Sequence, residues 1–219
     1  MTREEPQRLT VPALFHGACL LELGPSEEAP VVVGCHGYGE TASDIFAELK
    51  RIPGSRERTL AAIEAPHPFY RRNGDVVRSW MTKVDRDLAV EDNVRYAGAV
   101  VSELRRQGAR GRLVFAGFSQ GVAMAWRAAV RSGFPCAGLI VLAGDVPPDI
   151  VALGPSALPR VLLGRGTEDS WYDEAKMEAD LEVLGRLGAE VETCVFEGGH
   201  LWSDPFRAAA ARFLAGIAS

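Results

Sequence analysis

Short, continuously apolar runs alternate with segments of helical periodicity along most of this sequence, and this alternation constrains the fold more than any other feature. Continuous apolar, β-branched runs are typical of strands that are buried on both faces of a sheet. Strands that alternate with helices form a mostly parallel sheet with helices on both faces. We therefore predict an α/β fold with strands at Val31–Cys35, Thr59–Ala65, Arg112–Gly117, Ala137–Ala143, Arg160–Gly164 and Glu190–Phe196.

Capping residues and apolar periodicity locate the helices between these strands. Ser, Thr and Asp at a helix start accept hydrogen bonds from the first free peptide N–H groups, and Pro is favoured in the first turn. On this basis helices are predicted at Thr41-x-x-Asp44, at Ser170-x-x-Asp173 and at Asp204-Pro205, and from periodicity at Asp87–Gln107 and Gln120–Arg131.

Three segments are predicted to lie outside the parallel strands. Residues 1–10 form a polar N-terminal arm, Val11–Leu23 forms a hairpin or a bent edge region, and Pro66–Trp80 forms a long loop. No internal repeat, low-complexity tract or linker divides the chain. Residues 1–219 are therefore predicted to form a single domain.

Charge and composition exclude several classes of function. The net charge of −5 gives no basic surface for nucleic acid. No run approaches the roughly 20 apolar residues of a membrane span, and the N-terminus has no apolar core of a secretory signal. The four cysteines are scattered and no Cys-x-x-Cys or His-x-x-x-His pair exists, so we expect no metal site and reduced thiols in a cytoplasmic protein.

The sequence Gly117-Phe118-Ser119-Gln120-Gly121 stands between a predicted strand and a predicted helix. Small residues on both sides of a serine permit a sharp strand-to-helix turn, which holds the hydroxyl at the carboxyl edge of the sheet. Peptide N–H groups at the helix start point towards developing negative charge there. This context predicts Ser119 as the nucleophile of a serine hydrolase with the α/β-hydrolase fold.

The general base can be found by elimination. In α/β-hydrolases the triad follows the order Ser, then Asp or Glu, then His. Of the four histidines, His16, His36 and His67 precede Ser119, so only His200 fits this order. His200 follows the last predicted strand, and a loop there would bring the imidazole beside the nucleophile. We interpret His36 as structural.

The acid of the triad must lie between Ser119 and His200. Asp169 follows the strand Arg160–Gly164 and is the preferred candidate, while Asp145 follows the preceding strand and is the alternative. A buried acid holds the imidazole in the required tautomer and stabilises the imidazolium.

Acyl transfer also needs donors for the tetrahedral oxyanion. The Gln120 N–H, directly after the nucleophile, is one predicted donor. The loop His36-Gly37-Tyr38-Gly39 follows the strand Val31–Cys35, and its glycines allow a close backbone approach, so the Tyr38 N–H is predicted as the second.

Taken together, these segments resemble the phospholipase/carboxylesterase family, which includes bacterial carboxylesterases and acyl-protein thioesterases. The matching segments are Cys35-His36-Gly37-Tyr38-Gly39-Glu40, Ala65-Pro66, Ser79-Trp80, Gly117–Gly121, Gly166-Thr167-Glu168-Asp169 and Gly198-Gly199-His200. The resemblance implies a triad of Ser119, Asp169 and His200, an oxyanion hole at Tyr38 and Gln120, and hydrolysis of carboxylic esters or thioesters without a cofactor.

The chain departs from the family pattern where the substrate should be recognised. Met81-Thr82 and Trp171-Tyr172 replace the usual residues, and the loop before them is rich in arginine. The candidate substrate-binding residues are Trp80, Trp171, Arg71 and Arg72. A guanidinium in this loop could bind an anionic part of the substrate, or the loop could be a solvated surface.

The segment Gly144–Pro159 is too short to form the cap domain that larger hydrolases insert there, so an open site is expected. We predict a serine esterase that cleaves small-molecule esters of short or medium acyl chains through an acyl-enzyme. The alternatives are an acyl-protein thioesterase or lysophospholipase and, more remotely, a binding module that keeps the hydrolase fold without catalysis.

Overall fold

The computed structural model describes residues 6–154 and 158–218, and a seven-stranded sheet forms its centre. The strands of the chain are β1 (Cys19–Glu22), β2 (Val31–Cys35), β3 (Thr59–Ile63), β4 (His67–Tyr70), β5 (Val76–Ser79), β6 (Leu113–Phe118), β7 (Cys136–Leu142), β8 (Arg160–Gly166) and β9 (Val191–Phe196). The central sheet has the order β1-β3-β2-β6-β7-β8-β9, and β4 pairs with β5 in a separate hairpin. Only β1 is antiparallel to its neighbour in the central sheet, so the prediction of a mostly parallel sheet is confirmed.

Six α-helices lie among the described residues and connect or flank the strands. They are α1 (Ala42–Arg51), α2 (Arg86–Arg106), α3 (Gln120–Arg131), α4 (Pro148–Val151), α5 (Glu174–Arg186) and α6 (Asp204–Ala218). The Thr41 N–H donates to the Asp44 carboxylate at 2.7 Å, as the capping pattern before α1 predicts. The prediction of helices on both faces is confirmed by the sheet glycines. A Cβ on Gly34 would meet Ile45 of α1, whereas one on Gly117, which points to the other face, would meet Val122 of α3.

The core lies where the apolar runs of the sequence are continuous. Every residue of β2, β3 and β6 is buried, because each of these strands has a neighbouring strand on both sides and helices pack against the sheet. The edge strands β1 and β9 expose alternate or consecutive residues instead. Parallel strands end at the same edge of a sheet, so the loops after β2, β6, β8 and β9 meet there.

Two predicted connections are corrected by the structure. The segment Pro66–Trp80 is not a long loop, because it contains the hairpin of β4 and β5, with the turn 71–75 between them. Of the two forms predicted for Val11–Leu23, the hairpin is wrong, because residues 6–18 have no regular secondary structure, whereas an edge region agrees with β1 at the edge of the sheet. The first five residues of the predicted polar arm lie outside the described residues.

Two helix starts also differ from the prediction. Asp173, rather than Ser170, caps α5, and its carboxylate accepts the Lys176 N–H at 3.0 Å. Ser203 precedes α6, and its hydroxyl accepts the Phe206 N–H at 3.2 Å. In each case the helix is capped by a polar residue near the predicted one, whose side-chain oxygen accepts an N–H group of the first turn.

The connection between β7 and β8 contains only α4 among its described residues and is too short for a cap domain; residues 155–157 of the predicted segment Gly144–Pro159 lie outside the description. The carboxyl edge of the sheet is therefore bordered by loops, by the short helix α4 and by the ends of other helices, and not by an inserted domain. Within the described part of the chain, no helix combines the length and apolar character needed to cross a bilayer.

Candidate active site

Ser119 occupies the sharp turn between β6 and α3. Its backbone has φ 52° and ψ −120°, a conformation that residues other than glycine rarely adopt. The Ser119 N–H donates to the Leu142 carbonyl at 3.0 Å and so fixes the turn to β7. A Cβ on Gly121 would lie 2.1 Å from the Cys35 carbonyl oxygen, so the last glycine of the motif lets α3 approach β2. The turn therefore holds Ser119 in a strained conformation at the carboxyl edge of the sheet.

The His200 ring contacts the Asp169 carboxylate. His200 Nδ1 lies 2.8 Å from Asp169 Oδ2, and the Asp169 side chain is completely buried. Because a carboxylate only accepts, Nδ1 carries the proton and Nε2 retains its lone pair. Asp169 thus fixes the tautomer in which Nε2 can accept a proton.

The carboxylate of Asp169 is held by its own loop. Oδ1 accepts the Trp171 N–H at 2.8 Å and the Tyr172 N–H at 2.9 Å, so both oxygens are hydrogen-bonded. A Cβ on Gly166 would lie 2.2 Å from the Gly198 carbonyl oxygen, and the absence of this atom lets the loops after β8 and β9 touch. This arrangement, rather than a helix cap at Ser170, positions the acid against the imidazole.

Asp145, the alternative acid, occupies a different position. Its side chain is exposed on the wall of the cavity beside Ser119. Among the hydrogen bonds and ion pairs of the described residues, His200 pairs with Asp169 and not with Asp145. The geometry therefore brings only Asp169 to the imidazole.

Ser119 and His200 line one open cavity of about 490 Å³. No hydrogen bond joins the two side chains in residues 6–154 and 158–218. Hydrogen bonds between catalytic groups are often long before substrate binds, so this separation is compatible with proton transfer from Ser119 to His200.

The loop between β2 and α1 presents a free peptide N–H. The Gly37 N–H donates to the Glu40 carboxylate at 2.7 Å, and the Gly39 N–H donates to the Arg78 carbonyl at 2.9 Å. The Tyr38 N–H has no acceptor among the described residues. The Gln120 N–H lies in the first turn of α3 and has no intrahelical acceptor. Both predicted oxyanion donors are thus available.

The side chain of Gln120 has a role that the sequence did not indicate. Its Oε1 accepts the Trp80 N–H at 2.9 Å, and its Nε2 donates to the Met81 carbonyl at 3.1 Å. Gln120 therefore ties the start of α3 to the segment after β5, which forms a wall of the cavity.

The prediction that Trp80 contacts the substrate is wrong. Its side chain has no exposed surface, and its indole N–H donates to the His36 carbonyl at 2.8 Å. Asn93, on α2, donates to the Trp80 carbonyl at 2.7 Å. These buried hydrogen bonds place Trp80 in the core, where it supports the loop that begins at His36.

Arg71 and Arg72 do not line the cavity that Ser119 and His200 share, so the structure does not bring these two arginines to the predicted substrate position. Arg71 donates to the Gly39 carbonyl and thus supports the same loop, while Arg72 is exposed in the turn of the hairpin. The cations that do line the cavity are Lys83, Arg86 and Lys176, which sequence analysis did not single out.

Trp171 lies on the cavity wall, as expected for a substrate-binding residue, and 73% of its surface is exposed. The neighbouring Tyr172 is buried and donates through its hydroxyl to Asp180 at 2.8 Å. Asp180 also accepts the Val146 N–H at 3.1 Å, so it joins the loop of Asp169 to the segment after β7. Burial raises the pKa of Asp180.

His36 is buried and its contacts require the neutral ring. Nε2 accepts the Ala65 N–H at 3.1 Å and Nδ1 donates to the Gly37 carbonyl at 2.7 Å. Burial accordingly lowers the pKa of His36 from its usual value of about 6.5.

The unfolded chain consequently binds more protons than the folded chain below about pH 6.5, and His36 makes stability fall as the pH decreases through this value. We expect a His36→Gln variant to be less stable than the wild type at pH 7.5 but to lose less additional stability on going to pH 5. Urea unfolding midpoints at the two pH values measure this difference. An identical pH dependence in both proteins would contradict it.

The described part of the chain contains no group of three or more His, Cys, Asp or Glu side chains that could hold a metal ion. All four cysteines are free thiols, each in a strand. Burial raises the pKa of Cys35, which lies beside the loop of His36.

Comparison with known proteins identifies similar chains. The sequence matches the family described as phospholipase/carboxylesterase over residues 20–216. A search of curated protein sequences finds no significant match.

Among solved structures, the chain is similar to esterase PE8, with 26% identity, a TM-score of 0.72 and coverage of 92% of this chain and 98% of that one. It is also similar to the Bacillus cereus carboxylesterase, with 15% identity, a TM-score of 0.74 and coverage of 92% and 94%. Acyl-protein thioesterase 2 of Zea mays matches with 14% identity, a TM-score of 0.70 and coverage of 93% and 100%. The last two similarities, at low identity, show the α/β-hydrolase fold.

Proposed function

Because this chain belongs to the phospholipase/carboxylesterase family, a family of hydrolases, we propose that it is a serine hydrolase that cleaves carboxylic esters of short or medium acyl chains. The observation that carries the proposal is the 2.8 Å contact between His200 and the buried Asp169, beside a strained Ser119 on the same cavity. A histidine oriented by a buried carboxylate, next to a hydroxyl, is the arrangement that activates a nucleophile.

In the proposed mechanism, Ser119 Oγ attacks the ester carbonyl carbon while His200 Nε2 takes the hydroxyl proton. Asp169 stabilises the imidazolium, and the N–H groups of Tyr38 and Gln120 donate to the oxyanion. The bond to the leaving oxygen then breaks and the alcohol receives the proton from His200. Water repeats the sequence on the acyl-enzyme and releases the acid.

The size and openness of the cavity support a small substrate. A volume of about 490 Å³ lies in the range of small-molecule sites and is lined by Met81, Val146, Pro147 and Trp171 among other residues. The absence of a cap domain leaves water free to reach the acyl-enzyme. Both features favour short or medium acyl chains.

A series of 4-nitrophenyl esters with increasing acyl length, and a matched thioester series, tests this proposal. We expect the highest kcat/KM at about four to eight carbons, because longer chains exceed a cavity of this size. We also expect esters to exceed thioesters of the same acyl chain. The opposite preference would indicate an acyl-protein thioesterase, and a maximum with lysophospholipids would indicate a lysophospholipase. Absence of turnover together with absence of a fluorophosphonate adduct would indicate a non-catalytic binding module.

A further inference from the structure

The charges on the cavity wall are unequal. Three cationic side chains, Lys83, Arg86 and Lys176, line the cavity together with one exposed carboxylate, Asp145. The other carboxylates near the site do not line this wall: Asp169 is buried and paired with His200, and Glu40 accepts the Gly37 N–H. A substrate in this cavity therefore meets an excess of positive charge.

Two of these cations have no anionic partner in the described residues. No ion pair involves Lys83 or Arg86 among residues 6–154 and 158–218, and both side chains are exposed. Asp85, which stands between them in the sequence, is paired with Arg8 instead. Lys176 differs, since its ammonium group donates to the Trp171 carbonyl.

A second cleft, beside the start of α2, contains arginines whose charges are neutralised by carboxylates. Arg127 is buried and pairs with Asp149 at 2.6 Å, and Arg131 pairs with Glu91. Arg86 borders this cleft as well as the active-site cavity, yet it takes part in neither pair. Asp87, the other carboxylate that lines the cleft, is absent from the wall of the active-site cavity.

The start of α2 itself adds little positive potential at this wall, because Asp85 precedes its first turn and Asp87 lies within it. Arg86 is the first residue of this helix, and its N-cap residue, Asp85, makes no side-chain hydrogen bond to the first turn. The positive charge at this wall therefore comes from the side chains of Lys83 and Arg86. Their ammonium and guanidinium groups can bind a carboxylate by charge-assisted hydrogen bonds.

We propose that Lys83 and Arg86 form an anion-binding subsite of the active-site cavity that selects ester substrates carrying a free carboxylate, such as half-esters of short dicarboxylic acids. The inference rests on the proposed function and names the substrate class of the same site. In the reaction, Ser119 Oγ bonds to the ester carbonyl carbon and the alcohol leaves with the proton from His200. Water then releases the dicarboxylate, whose second carboxylate stays bound at the subsite during the chemistry.

The test compares monomethyl glutarate, which is anionic, with dimethyl glutarate, which is neutral, by measuring methanol release. We expect a Lys83→Met/Arg86→Met double variant to lose about tenfold or more in kcat/KM for monomethyl glutarate, mainly through KM, and less than about twofold for dimethyl glutarate. Arg72→Met is the matched control, because Arg72 is an exposed arginine outside the cavity, and it should alter neither value. The wild-type preference for the half-ester should also weaken as salt is raised.

Free glutarate provides a second probe that does not depend on turnover. It should inhibit hydrolysis of a neutral 4-nitrophenyl ester competitively, and its inhibition constant should rise about fivefold or more in the double variant. Equal losses for both methyl esters, no preference for the half-ester, or inhibition unchanged by the double substitution would overturn the subsite. If neutral esters are hydrolysed and Ser119 is labelled by a fluorophosphonate, such a result removes the subsite alone. If neither occurs, the proposed function fails with it.

Discussion

Ser119→Ala should lower kcat for ester hydrolysis by a factor on the order of 10⁶, because the covalent step has no other nucleophile. The substitution removes only the hydroxyl, which makes no hydrogen bond among the described residues, and it keeps a Cβ at the strained φ of 52°. We therefore expect the thermal unfolding midpoint to change by no more than a few degrees.

The same variant identifies the nucleophile directly. A fluorophosphonate should add one label per wild-type chain, and intact-mass measurement should find none on Ser119→Ala. Ser170→Ala is a suitable control, because Ser170 is an exposed serine in the loop of Asp169. Retention of the adduct in Ser119→Ala, or turnover close to that of the wild type, would assign the nucleophile elsewhere.

Asp169→Asn should lower kcat by about 10⁴-fold while the fold persists. The amide oxygen can still accept the N–H groups of Trp171 and Tyr172. The amide nitrogen would then face His200 Nδ1 and donate to it, which leaves the proton on Nε2 and prevents this atom from acting as a base. The loss therefore comes from the wrong tautomer and not from a damaged loop.

Asp145→Asn serves as the matched comparison, since Asp145 lines the same cavity but does not contact His200. We expect it to change kcat by less than about tenfold. Steady-state kinetics of both variants with one neutral ester, alongside circular dichroism, decide between the two acids. A severe loss in Asp145→Asn with near-normal activity in Asp169→Asn would move the acid to the earlier strand.

The parts of the fold set by local sequence were predictable. The bounds of β2 and α3 coincide with those predicted, because a continuous apolar run and a motif at a sharp turn are local signals. The strand order and the side of the sheet on which each helix lies depend on non-local packing. The hairpin of β4 and β5 was missed for this reason. Its strands have four residues each, and its pairing to the rest of the protein runs through the bridge between Glu40 and Arg78.

The residues of the candidate site likewise fall into those that local sequence could predict and those that depend on non-local packing. Chain order and spacing pointed to Ser119 and His200 and left Asp169 and Asp145 as candidate acids, because each follows a parallel strand and such strands end at one edge. Residues defined by their surroundings could not be identified in this way. Trp80 is an aromatic residue of the kind that often contacts ligands. Its hydrogen bonds to His36 and Asn93, which are distant in the sequence, place it in the core instead. Lys83 and Arg86 belong to no motif, and only the cavity gives them a potential role.

The four tryptophans differ sharply in exposure, and this makes the site observable by fluorescence. Trp80 and Trp126 are completely buried and Trp202 is 9% exposed, whereas Trp171 is 73% exposed on the cavity wall. Emission from the three buried indoles should stay nearly constant when a ligand enters. Emission from Trp171 should shift to shorter wavelength as a ligand removes water from its ring. The protein thus contains an intrinsic optical reporter of occupancy, which allows ligands to be screened without labels and without turnover.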